Sequence, residues 1–189
     1  MKIRATSLAS ERQSAEALFR EHAKFISDFL HRLGVHEPDI DDTVQEVFMV
    51  AHQKGGYSPG PARPRTWLAA IAVRLAAASR RSRARRREDY DAVALEAARV
   101  DGRNPASAAE IAESLLRVQE ALDRVDVDHR AVFVLYEMQG ESCDAIAAAL
   151  EVPVGTVYSR LHHARRRFQE AYARLTGDED SALHTAEAT

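Results

Sequence analysis

The sequence predicts an all-α protein: two small helical domains joined by a flexible linker, the second containing a helix-turn-helix. Three observations carry this expectation. Apolar residues recur at three- and four-residue spacing along most of the chain, with no alternating pattern long enough for a strand. Past Arg87 the chain turns acidic, alanine-rich and weakly patterned, and Asp101-Gly102-Arg103-Asn104-Pro105 reads as a linker. Near the C-terminal end, two amphipathic segments flank a tight Glu151-Val152-Pro153 turn. A length of 189 residues suits two domains with modest cores. The expected division is 10–87, a linker over 88–108, 109–175, and a flexible polar tail over 176–189.

Each element has its own signals. Leu18, Phe25, Ile26, Phe29, Leu30 and Leu33 form one stripe, and Gly34 stands where a left-handed cap would stop the first helix. Pro38 favours a helix start, after which Ile40, Val44, Val47, Phe48 and Ala51 share a face. Three glycines and three prolines between Gly55 and Pro64 force a loop. Pro64 then opens a third helix carrying Trp67, Ile71 and Leu75. Ile111, Leu115, Val118, Leu122 and Val125 form a fourth repeat. The nearly apolar run Ala131–Met138, ending at Gly140, must be buried. A short helix over about 142–150 and a longer one over about 154–175 complete the chain, with Ile146, Ala147, Leu150, Val152, Val157 and Leu161 spaced to pack against each other.

The net charge of −3 conceals strong segregation. Arg63 to Arg87 holds nine arginines and no acid, Val154 to Gln169 holds four arginines and no acid, and Glu37, Asp39, Asp41, Asp42 and Glu46 crowd into ten positions. The last helix presents Thr156, Tyr158, Ser159, Arg160, His162, His163, Arg165 and Arg166, a mixture of phosphate-binding and base-reading side chains suited to a major groove. A merely solvated face would mix signs to form spaced ion pairs, whereas this run repels itself. In the third helix, one or two arginines would satisfy the helix dipole, yet six of the eight residues 80–87 are arginine, which points to a phosphate backbone. The acids at Glu37, Asp39 and Asp41 suit a helix's first turn. Asp42, Gln45 and Glu46 lie further in, on a polar face that can serve a protein partner.

Other residues carry less. Trp67 reads as core by its spacing, and Tyr57, in the loop, is the better candidate for stacking on a base. Adjacent His162 and His163 point different ways and make no shared metal site. Cys143 is the only cysteine, which excludes an intrachain disulfide and fits a reducing cytoplasm; it is expected to be inert. No signal peptide, membrane-spanning run, catalytic triad, paired carboxylate or glycine-rich phosphate loop is legible, so neither catalysis nor a cofactor or metal is expected.

The segments Asp42-Thr43-Val44-Gln45-Glu46-Val47-Phe48, Arg65-Thr66-Trp67-Leu68 with Ile71-Ala72, and Val154-Gly155-Thr156-Val157-Tyr158-Ser159-Arg160-Leu161-His162-His163-Ala164-Arg165 together resemble the extracytoplasmic-function sigma factors of bacterial RNA polymerase. The resemblance runs from about Ser14 to Leu175. It implies a first domain that docks Asp42, Gln45 and Glu46 on the beta-prime clamp of core polymerase. It further implies that the loop and third helix, through Tyr57, Arg63, Arg65, Arg74, Arg80 and Arg81, open the minus-ten element and hold an unstacked base. Flipping a base costs a few kcal/mol, which cationic rails and a pocket must offset. The last helix would read the minus-thirty-five element. The beta flap, promoter DNA and an anti-sigma factor are the other implied partners. Departures from the family pattern are Arg74 for a usual asparagine, Ala78 for an aspartate, Glu151 for a glycine, Pro153 for a serine and Tyr158 for a frequent lysine. Two competing readings are a dimeric helix-turn-helix regulator that never touches the clamp, and a metal-dependent nuclease using the acidic cluster.

Overall fold

The computed structural model describes the backbone of residues 12–87 and 105–186, with side chains over 12–79 and 111–177. Among these residues every regular element is helical. The helices are α1 (Ala15–Arg32), α2 (Glu37–Gln53), α3 (Pro64–Arg87), α4 (Pro105–Asp123), α5 (Val127–Phe133), α6 (Cys143–Leu150) and α7 (Val154–Ala186), with a π-helical turn, Val134–Met138, continuing α5. Among the described residues one β-bridge joins Gln13 to Tyr57.

Local chemistry sets the helix ends. Ser14, Asp126 and Ser142 each accept a backbone N–H with the side chain and so start α1, α5 and α6. Gly34 (φ +77°) ends α1 in the expected left-handed conformation. α6 ends the same way on Glu151, whose φ of 58° makes it the one described non-glycine residue in that region.

α1, α2 and α3 pack on one another, and α7 collects α4, α5 and α6. The first group buries Leu18, Ile26, Phe29, Leu30, Val44, Val47 and Leu68, and the second buries Leu122, Val134, Leu135, Ile146 and Val157. α3 also touches α5 and α6, so the two groups meet.

Two boundaries differ from expectation. α4 begins at Pro105, inside the anticipated linker, because proline at a helix start forfeits no hydrogen bond. α7 runs to Ala186 rather than giving way to a tail at 176, for Gly177 keeps a negative φ and costs the helix only about 1 kcal/mol. Residues 88–104, most of the anticipated linker, lie outside the described part.

Candidate nucleic-acid interface

α7 is positioned by the row Val157, Leu161 and Ala164, buried with Ile146 and Ala147 of α6, and by the partly buried Leu150 and Val152 at the turn between them. The cap at Glu151 turns the chain sharply, and Val152 N–H donates back to Ala147 O at 3.1 Å. Opposite the buried row, Gly155, Ser159, His162 and Arg166 face solvent, with Tyr158 and His163 exposed beside them. Thr156 is half-buried.

Two arginines expected on this face are committed elsewhere. Arg160 Nη2 donates to Asp128 Oδ2 at 3.3 Å, and Arg165 Nε donates to Glu137 Oε1 at 2.6 Å. Arg165 also lies over the Tyr136 ring at 5.3 Å. Its hydrogen bond to Glu137 raises the guanidinium pKa further. The acids absent from the 154–169 run are thus supplied by α5 and the π turn, and both arginines brace α7 against them. Arg166 keeps only a loose 3.7 Å contact with Glu170.

Sequence reasoning missed a second basic feature. Arg124, His129, His163, Arg166 and Arg167, with Asp126 and Val125, line an open groove of about 390 Å³ along the flank of α7. The His163 ring stands edge-on to those of His129 (5.9 Å) and His162 (5.7 Å). Arg124 sits in the α4–α5 turn and His129 in the first turn of α5, where sequence spacing shows only a helix end and a helix start. Their approach to α7 is a tertiary event.

In the first group, α2 exposes Asp42, Gln45, Glu46 and Met49 on one face while Val44, Val47 and Phe48 pack inward. Met49, missed in the sequence, is 61% exposed at the C-terminal end of that face, one turn beyond Glu46. The loop before α3 is ordered by Tyr57, which corrects the expectation that this residue is free to stack on a base. Tyr57 is buried, its hydroxyl donates to Ala62 O at 2.7 Å, and its backbone pairs with Gln13. Gly56 is needed there, since a Cβ would lie 2.1 Å from Gln13 O. Trp67 packs edge-on to Tyr57 at 5.9 Å, half-buried as expected of core.

Arg63 is exposed, whereas Arg65 and Arg74 are held. Arg65 Nε donates to Glu141 Oε1 at 2.9 Å and Arg65 Nη2 to Gln139 O at 2.5 Å. Arg74 Nη2 lies 3.1 Å from Glu151 Oε1. The side chains of Arg80 and Arg81 lie outside the described residues. Half-buried His22, close to Arg65, has its pKa lowered chiefly by desolvation. Cys143 is buried, and desolvation raises its thiol pKa, so the helix start does not activate it. No group of three or more metal-ligating side chains occurs among the described residues, and no described helix is long and apolar enough to cross a membrane.

Comparison with known proteins gives concordant findings. The profile of Sigma-70 region 2 matches residues 18–86, and that of Sigma-70 region 4 matches 115–168. The ECF RNA polymerase sigma factor SigE of Mycolicibacterium smegmatis is 32% identical over 171 residues, covering 87% of this chain and 64% of that protein. The ECF RNA polymerase sigma factor SigM of Mycobacterium tuberculosis is 31% identical over 176 residues, covering 93% and 84%. Among solved structures, the sigma factor RpoE in complex with the anti-sigma factor NepR from Bartonella quintana aligns with a TM-score of 0.61 at 23% identity, covering 81% of this chain and 92% of that one. CnrH in complex with the cytosolic domain of CnrY aligns at 0.53 and 25%, covering 87% and 88%.

Proposed function

Because this chain belongs to the ECF RNA polymerase sigma factors, we propose that it binds core RNA polymerase and directs it to promoters, melting DNA and starting transcription. The carrying observation is the pairing, on one chain, of a region 2 match with an exposed acidic α2 face and a region 4 match with a basic helix-turn-helix. A stand-alone regulator has no use for the first.

In this reading Asp42, Gln45, Glu46 and the adjoining Met49 engage the polymerase clamp. Arg63, Arg65 and Arg74, with Arg80 and Arg81, serve the minus-ten strand, and α7 reads the minus-thirty-five element. Tyr158, Ser159 and His162 face base edges, with Thr156 beside them. His163 and Arg166, joined by Arg124, His129 and Arg167, take the flanking phosphates. The protein works in the cytoplasm without catalytic activity of its own. The fold shared with the sigma factor RpoE, solved in complex with the anti-sigma factor NepR, supports an anti-sigma factor as a further partner.

Run-off transcription with core polymerase and genomic fragments tests the proposal. Discrete transcripts that require the chain are expected. Tight duplex binding without core association or transcription would overturn it in favour of a conventional regulator.

A further inference from the structure

The first turns of α7 are apolar where a base-reading helix is ordinarily polar, and we infer that Val154 and Tyr158 read thymine methyl groups. The duplex this chain selects then carries a thymine at the step under Tyr158, set among A·T pairs. The inference deepens the proposed role of α7 and rests on it. A recognition helix turns its N-terminal residues to the base edges. Guanine is read there by Arg or Lys, adenine by Asn or Gln, and cytosine by Asp or Glu. Between Val154 and His163 the sequence holds one residue of these six types, Arg160. Its guanidinium donates to Asp128 Oδ2 at 3.3 Å, and its side chain is only 24% exposed. The arginines beyond His163 are placed differently: Arg165 is held by Glu137, and Arg166 and Arg167 line the groove on the flank. Guanine is thus left without a bidentate reader in those turns.

Val154 is 38% exposed and Tyr158 58%, and a spacing of four residues sets the two side chains next to each other on the helix surface. Val157 and Leu161 on the same helix are buried, so this exposure does not come from poor packing of α7. The thymine C5-methyl is the apolar group that the major groove offers, and an aliphatic or aromatic side chain packs on it. Ser159 and His162, exposed beside Tyr158, supply single hydrogen bonds, which adenine N7 or thymine O4 can meet. Gly155 adds an independent sign. It has no left-handed φ, and nothing lies within 4 Å of where a Cβ would stand, so the fold does not call for the glycine, which weakens a helix. Bare backbone at that point lets the base edges come close to Val154 and Tyr158.

Two experiments on the full-length chain test this. In the first, duplexes randomised over the minus-thirty-five region are selected for binding to the protein, and the same pool is selected for run-off transcription with core polymerase. A thymine at one fixed position, with A·T pairs beside it, is expected from both. In the second, that thymine is replaced by deoxyuridine, which removes the methyl group and nothing else. The parent should then bind about fourfold more weakly, the effect of burying one methyl. Tyr158→Ala should bind the thymine duplex more weakly than the parent and no longer distinguish the two bases. Tyr158→Arg should select guanine at the same position, a change of preference that misfolding does not produce. Guanine selected there by the parent, equal binding of thymine and deoxyuridine, or a Tyr158→Ala protein that still favours thymine overturns the inference. Enrichment of the thymine site without any run-off transcript overturns the sigma reading and leaves the thymine contact standing. No enrichment in either selection overturns both.

Discussion

At the scale of single residues, Glu151 shows how function and stability divide. The α6–α7 turn requires a left-handed residue, and glamour of conformation aside, glycine is what such a cap ordinarily takes. The chain places Glu151 there with φ 58°, and its carboxylate faces Arg74. The left-handed conformation costs a side-chain-bearing residue about 1–2 kcal/mol. A glycine would relieve this but add about 0.4–1 kcal/mol of unfolded-state entropy. The ion pair is largely solvated and contributes little. Glu151→Gly should therefore raise stability by about 0.5–1 kcal/mol in urea denaturation, and a loss would mean the contact with Arg74 outweighs the strain. The sequence marks Glu151 as an unusual residue in a turn. Its partner, 77 positions away by number (151 less 74), is invisible there.

At the scale of elements, helices were legible and their neutralisation was not. Apolar spacing, Pro38, Pro64 and Gly34 locate α1, α2 and α3 because burial and capping act within a few residues. The charge on α7 is different. Its acids come from Asp128 and Glu137, 32 and 28 residues before their arginines, so a run that looks self-repelling is partly balanced by folding. Tyr57 fails for a similar reason: glycine and proline composition suggests a loose loop, while the distant Gln13 backbone fastens it. This redistributes the phosphate contacts expected of α7. Replacing Arg166 and Arg167 with alanine should reduce the salt slope of minus-thirty-five duplex binding by roughly two units, at about 0.9 per phosphate. Arg165→Ala should leave the slope nearly unchanged and instead loosen α7 against the π turn. A slope that responds equally to Arg165 would show that Glu137 releases it on DNA.

At the scale of the whole molecule, the two proposed surfaces differ in exposure. The acidic face of α2, proposed for the polymerase, lies open, while Arg65 and Arg74, proposed for the minus-ten strand, pair with Glu141 and Glu151 of the other group. Charge segregation in the sequence announced both surfaces but gave no hint that one covers the other's neighbours, because that depends on pairs such as Arg65 and Glu141, 76 residues apart. The α2 acids point into water and away from the core, so their replacement should disturb binding without disturbing the fold. Asp42→Ala combined with Glu46→Lys should weaken association with core polymerase at least tenfold, about 1.4 kcal/mol. Charge complementarity acts mainly on encounter, so most of this loss should fall on the association rate and shrink as salt rises. Circular dichroism and the urea-denaturation midpoint of the free chain should stay at parent values. If instead core binding survives while the denaturation midpoint falls, α2 is a structural face, and the polymerase must grip the molecule elsewhere.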